Sequence, residues 1–200
     1  MLPSEYVQRL IHDPSTREKD WGHIITQVFA TGVRPLFDPE QLMPQLAAVF
    51  SDSVPFEPPS PAAFVDFVEN FWQRVVQIAK KLRAGRLHAA HRWSAAQTND
   101  LMRLVECHTR LTRNLPPSTW YRNKYFEQWA DPRVIAALPQ LYPHYDAADI
   151  QRALFVTMNV FRCLARETAH QPGYPYPDNS DAQITAWSTE YLAASVERAD

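Results

Sequence analysis

Glycine is scarce in this 200-residue chain, with only four present: Gly22, Gly32, Gly85 and Gly173. No two stand close enough to build a phosphate-cradling turn, which excludes P-loop and dinucleotide-binding signatures. The two cysteines, Cys107 and Cys163, exclude a disulfide framework and a four-thiolate metal centre. Charge of one sign is also lacking. Twenty Lys+Arg against 22 Asp+Glu leave a net −2, so there is no electrostatic footprint for nonspecific nucleic-acid binding. No apolar run nears the roughly 20 residues of a membrane span, and no signal-peptide pattern is seen. The expectation is a reduced, cytoplasmic protein with neither nucleic acid nor membrane as partner.

The chain does have enough length and apolar content, 46%, to bury a core without staples. Its organisation changes near residue 60. In residues 1–59, Tyr6, Val7, Leu10 and Ile11 suggest a helix stopped at Asp13-Pro14. His23–Phe29 and Val33–Phe37 read as short strands around Gly32 and Pro35, and Leu42–Phe50 as a short helix. Pro55, Pro58, Pro59 and Pro61 then make a linker that no element can run through.

Residues 60–200 read as helices. Ser60 is an N-cap with Pro61 at the first helical position. Phe64, Phe67, Phe71, Val75, Ile78 and Leu82 follow at spacings of three and four, one apolar stripe. Past Gly85 a second stripe runs through Leu87, His91, Ala95, Thr98, Leu101, Met102, Val105 and His108. Trp120–Trp129 reads as a short aromatic helix, Asp131-Pro132 starts another, and Asp146 or Asp149 caps a long one through Ala165. A last helix carries Ile184, Trp187, Tyr191 and Leu192. The fold class expected is mainly α: a bundle of five or six helices preceded by a short α/β remnant with one or two strands.

Chemistry-bearing residues are sparse. Asp66 and Glu69, at i,i+3 with Asn70 beside them, share one helix face, where they can hold a polycation or supply a base; the plainer reading is a solvated stripe. Lys80, Lys81, Arg83 and Arg86 sit where a helix C-terminus favours cations anyway. His88 and His91 lack a completing ligand, so no metal site is expected. Cys107-His108 lacks an orienting partner for a nucleophile. Arg103-x4-His108 resembles the short motif of HEPN-type helical ribonucleases, a spacing that ordinary amphipathic helices also produce.

From Pro61 onward, several segments in order resemble the C-terminal helical domain of aminoglycoside 6-adenylyltransferases (streptomycin adenylyltransferases) and, more loosely, of lincosamide nucleotidyltransferases. Phe64-Val65-Asp66-Phe67-Val68-Glu69-Asn70-Phe71-Trp72 is similar to that family's acidic segment ending in Asn-Glu-Phe-Trp. Lys80-Lys81-Leu82, Leu101-Met102-Arg103 and Arg122-Asn123-Lys124-Tyr125-Phe126 resemble its later segments. So do the helix from Asp149 to Glu167 and the Tyr174-Pro175-Tyr176-Pro177 turn. The resemblance covers about 140 residues, and its specificity lies in the order and spacing of the pieces together.

The resemblance implies an aminoglycoside-like ligand, with Asp66 as general base and Glu69, Asn70, Lys80 and Lys124 as further binding residues. It also implies ATP and Mg²⁺, held in the family by a Gly-Ser turn and Asp-x-Asp carboxylates. Neither motif occurs in this sequence. Glu18-Lys19-Asp20 and Asp38-Pro39-Glu40 have the spacing without the context. Asn70 stands where the family has glutamate, and a second family glutamate falls at Gly85 or Arg86.

The reading is therefore an incomplete, truncated member that keeps the substrate-binding helices in residues 60–200, with residues 1–59 a partial remnant. No cofactor is expected in this chain alone, and transfer activity waits on a separate nucleotidyltransferase domain. A non-catalytic ligand- or protein-binding module is the alternative, and a ribonuclease the third. The apolar side chains of residues 20–50 are too many to leave in water, so that segment is expected to be ordered against the bundle or in a homodimer.

Overall fold

The computed structural model describes residues 4–13, 33, 38–50, 57–113, 125–171 and 173–194. Eight helices occur among them: α1 (Ser4–His12), α2 (Leu42–Phe50), α3 (Pro61–Arg83), α4 (Leu87–Arg113), α5 (Phe126–Trp129), α6 (Pro132–Leu141), α7 (Ala147–Ala169) and α8 (Asp178–Ala193). The chain divides into two compact units. One comprises Met1–Glu57 with Leu115–Trp129, and the other Pro58–Asn114 with Ala130–Asp200.

In the first unit, α1 and α2 close on a small apolar cluster. Val7, Leu10 and Ile11 meet Leu42 and Leu46, with Tyr6, Met43 and Val49 packed around them. Asp38 starts α2: its carboxylate accepts from the backbone N–H groups of Leu42 and Met43 at 2.9 and 3.0 Å. Such side-chain acceptors satisfy orphan donors at a helix start. The carboxylate of Asp38-Pro39-Glu40 is thus a local cap. The strands expected at His23–Phe29 and Val33–Phe37 lie outside the described residues except for Val33, and the described residues are helical with no strand among them. Within residues 20–50, the described helical part packs on α1 through Leu42 and Leu46.

The second unit is the helical bundle. Ser60 Oγ accepts from the Ala63 N–H at 3.2 Å and Pro61 opens α3, as the cap chemistry requires. Phe64, Val68, Phe71, Trp72, Val75 and Ile78 are buried along its inner face. The centre of the core is aromatic. Phe71 and Phe161 stack with centroids 3.5 Å apart, and the Trp72 ring stands nearly perpendicular to both. Leu101, Leu104 and Val105 of α4, and Ile150, Leu154, Met158 and Leu164 of α7, complete the core. Asp131 caps α6 and Asp146 caps α7, settling between Asp146 and Asp149.

Two apolar stripes differ from the sequence expectation. In the first turns of α4 the buried side is Ala90, Ser94 and Gln97, not His91 and Ala95. Small and short polar residues sit where α4 closes on its neighbours, so hydrophobicity does not mark the register there. On α8 the fully buried residues are Asp181, Ser188 and Leu192, while Ile184, Trp187 and Tyr191 are half-buried. A polar lock also fastens that helix. The Arg162 guanidinium donates to both Asp181 oxygens at 2.8–2.9 Å, and Tyr176 Oη donates to the same carboxylate at 2.8 Å. Of the aromatic stretch Trp120–Trp129, the structure shows helix at Phe126–Trp129, and residues 120–124 lie outside the described residues.

Candidate functional site

Asp66, Glu69 and Asn70 are exposed on the first half of α3. A rise of about 1.5 Å and 100° per residue places them on one flank within a single turn. Among the described residues, neither carboxylate has an ion-pair partner. An accessible carboxylate beside a second one suits both contact with ammonium groups and proton abstraction from a hydroxyl. Lys80 is exposed on the same flank, but it stands eleven residues past Glu69, about 16 Å along the axis. The structure does not bring it to the two carboxylates. Lys124 lies outside the described residues.

The basic cluster ending α3 is partly committed to packing, since the Arg83 guanidinium lies 4.2 Å from the Tyr191 ring centroid. Arg103 and His108 do not meet in an open cleft. Arg103 sits 5.3 Å over the Phe67 ring, while His108 is buried and its Nδ1 lies 3.1 Å from Thr168 Oγ1. The arrangement a ribonuclease pair needs is absent at these two residues. Burial pushes the Cys107 thiol up to about 11, which disfavours the thiolate a nucleophile needs.

Sequence reasoning missed a polar network joining α4, α6 and α7. Asp131, the cap of α6, accepts from Arg133 Nε and Nη2 at 2.9 and 2.8 Å. Arg133 also donates to Glu167 Oε2 at 2.6 Å and to Cys163 Sγ at 3.2 Å. His108 Nε2 faces Glu167 at 3.7 Å. Hydrogen bonds from Arg133 hold the Asp131 carboxyl down at about 2, and the same guanidinium lowers Glu167. Burial lowers His108 and outweighs the attraction of Glu167 and Asp131. The members are separated by up to 59 positions, and only the cap signal at Asp131 was visible in the sequence.

Ligand atoms of His108, Asp131 and Glu167 lie within 4.8 Å of one another, as a metal site would require. Yet Arg133 already donates to both carboxylates, supplying the positive charge a cation would bring. These residues do not fit a resident metal.

Three comparisons bear on this geometry. A family model described as streptomycin adenylyltransferase matches residues 16–191. The crystal structure of an aminoglycoside 6-adenyltransferase from Bacillus subtilis is similar with a TM-score of 0.58 and 19% identity, over 68% of this chain and 52% of that chain. This chain therefore spans about half the length of that relative, and the likeness is one of fold. No curated protein matches. Among the described residues no helix is long and apolar enough to cross a membrane.

Proposed function

Because the chain belongs to the streptomycin adenylyltransferase family, we propose that it is an aminoglycoside-adenylyltransferase-like protein whose helical unit binds an aminoglycoside-type polycation. The observation that carries this is the family match running through α3, where Asp66 and Glu69 stand exposed without an ion-pair partner among the described residues. Glu69 holds an ammonium group, and Asn70 contributes hydrogen bonds to hydroxyls. Asp66 accepts the proton of the hydroxyl that is to be modified. Antibiotic resistance is the biological role this would serve.

In a complete adenylyl transfer, that hydroxyl oxygen bonds to the α-phosphorus of ATP as the bond to the pyrophosphate breaks. The described residues do not fit the Mg²⁺ this reaction uses, since the one His/Asp/Glu group among them is engaged by Arg133. The 200 residues also contain no Asp-x-Asp. Metal-binding carboxylates would therefore come from outside the described residues.

Calorimetry with streptomycin tests the binding. A saturable exotherm that Asp66→Asn with Glu69→Gln abolishes is expected, and a flat titration overturns the reading in favour of a protein-binding module. Incubation of this chain alone with ATP, Mg²⁺ and streptomycin is expected to yield no adenylylated product. Its appearance would show that the chain holds its own metal site.

A further inference from the structure

A second site of opposite sign lies between α3 and the start of α4. Arg74, His88, Ala89, Arg92, Trp93 and Ala96 line an open cleft of about 340 Å³, within the range of small-ligand pockets. On α4 these residues fall at i, i+1, i+4, i+5 and i+8, one helix face. The Arg74 charge is already answered, since its Nε donates to Asp100 Oδ2 at 2.8 Å. Its guanidinium lies 5.3 Å from the Trp93 ring centroid, which holds that ring at the cleft wall. Trp93 nevertheless remains 37% exposed, so part of its surface is available.

Arg92 and His88 are different. Both are exposed, one turn apart, and among the described residues neither has a carboxylate partner. They also stand in the first two turns of α4, whose opening turn contains no acidic residue. A helix start carries partial positive charge and ordinarily attracts acidic side chains. Here the Arg92 guanidinium and the His88 ring stand at the positive end, beside a partly exposed indole, without a carboxylate partner among the described residues.

The geometry points to this cleft as a binding site for a small phosphorylated ring compound, of the class of aryl and nucleoside phosphates. The Arg92 fork and the His88 ring N–H would donate to phosphate oxygens, and the flat ring would lie on Trp93. An aminoglycoside, a polycation, is the ligand such a lining repels. The site therefore stands independently of the acidic flank at Asp66 and Glu69.

The test titrates the full chain with AMP, adenosine and inorganic phosphate, by calorimetry and by quenching of indole fluorescence. AMP is expected to bind, with adenosine and phosphate each weaker by about tenfold or more. Arg92→Glu and the milder Arg92→Gln are expected to weaken AMP by about tenfold or more. Trp93→Phe should remove the quench while unfolding curves stay unchanged. Phosphate binding as tightly as AMP would overturn the proposal, as would AMP affinity that survives both Arg92 variants. So would no AMP binding at millimolar concentration. Streptomycin is expected not to compete, and Asp66→Asn is expected to leave AMP binding intact. Failure of streptomycin binding thus counts against the proposed function alone.

Discussion

The bundle contains two kinds of charged region, and they differ in whether their charges are answered. Around α6, α7 and α8, Asp131, Glu167 and Asp181 each accept from an arginine, and those arginines are oriented by two or more oxygens. On α3 and early α4, by contrast, Asp66, Glu69 and Arg92 are exposed and without ion partners among the described residues. Charges of the first kind hold helices at fixed distances and are lost only at a cost in stability. Those of the second kind contribute little to the fold, which leaves them available to a ligand. The contrast can be broken or sharpened by substitution.

The largest effect is expected from Arg162→Ala. Asp181 is 2% exposed, and its ionised state survives because hydrogen bonds from Arg162, Tyr176 and Thr185 outweigh the upward push of burial. Removing the guanidinium leaves a buried carboxylate with its hydroxyl donors and Arg166 Nη2 3.5 Å away. A loss of about 3 kcal/mol is expected, read as a fall in the urea midpoint with little change in slope. An unchanged midpoint would show that α8 is held by Leu192 and its half-buried aromatics instead.

A smaller, pH-dependent effect is expected at the α4–α6–α7 network. His108 titrates below its ordinary 6.5 because it is buried. As pH falls below 6.5 the unfolded chain takes up a proton that the fold resists, so stability declines until the folded value is passed. Asp131, held at about 2 against an ordinary 3.8, contributes stability that is present above 3.8 and lost as pH falls through about 2. Two steps of acid destabilisation therefore follow. His108→Gln is expected to flatten the decline between pH 7.5 and 5.5 while leaving the one below pH 4. Urea midpoints at pH 7.5, 5.5 and 3 measure both, and an unaltered upper step would assign it to other groups.

How much of this was legible in the sequence depended on whether the signal was local. The start of α3 could be read from Ser60-Pro61 and its phenylalanine spacing, and that of α6 from Asp131-Pro132. Caps and stripes are decided within a few residues. The register of early α4 could not be read, because Ala90, Ser94 and Gln97 are buried by packing and carry little hydrophobic signal of their own. The Arg133 and Arg162 networks were equally hidden, since each joins residues that only the folded helices bring together. Of the residues singled out for binding, Asp66, Glu69 and Asn70 are neighbours by helical spacing alone. Lys80 follows the same spacing but is too far along the axis.

The smallest effect on stability, and the sharpest test of the contrast, is expected from Asp66→Asn with Glu69→Gln. Both side chains are solvated and neither has an ion partner among the described residues, so the two amides should shift stability by no more than about 0.5 kcal/mol. For a polycationic ligand the same change removes two negative charges from one turn of helix, and affinity should fall by about tenfold or more. The lost interaction is between charges near water, so the difference between parent and variant should shrink as salt is raised from 50 to 500 mM. Unfolding curves and streptomycin titrations on the same samples separate the two readouts. A variant that unfolds early would place these carboxylates with the answered charges. One that is as stable as the parent and binds streptomycin equally well would leave the α3 flank a solvated surface.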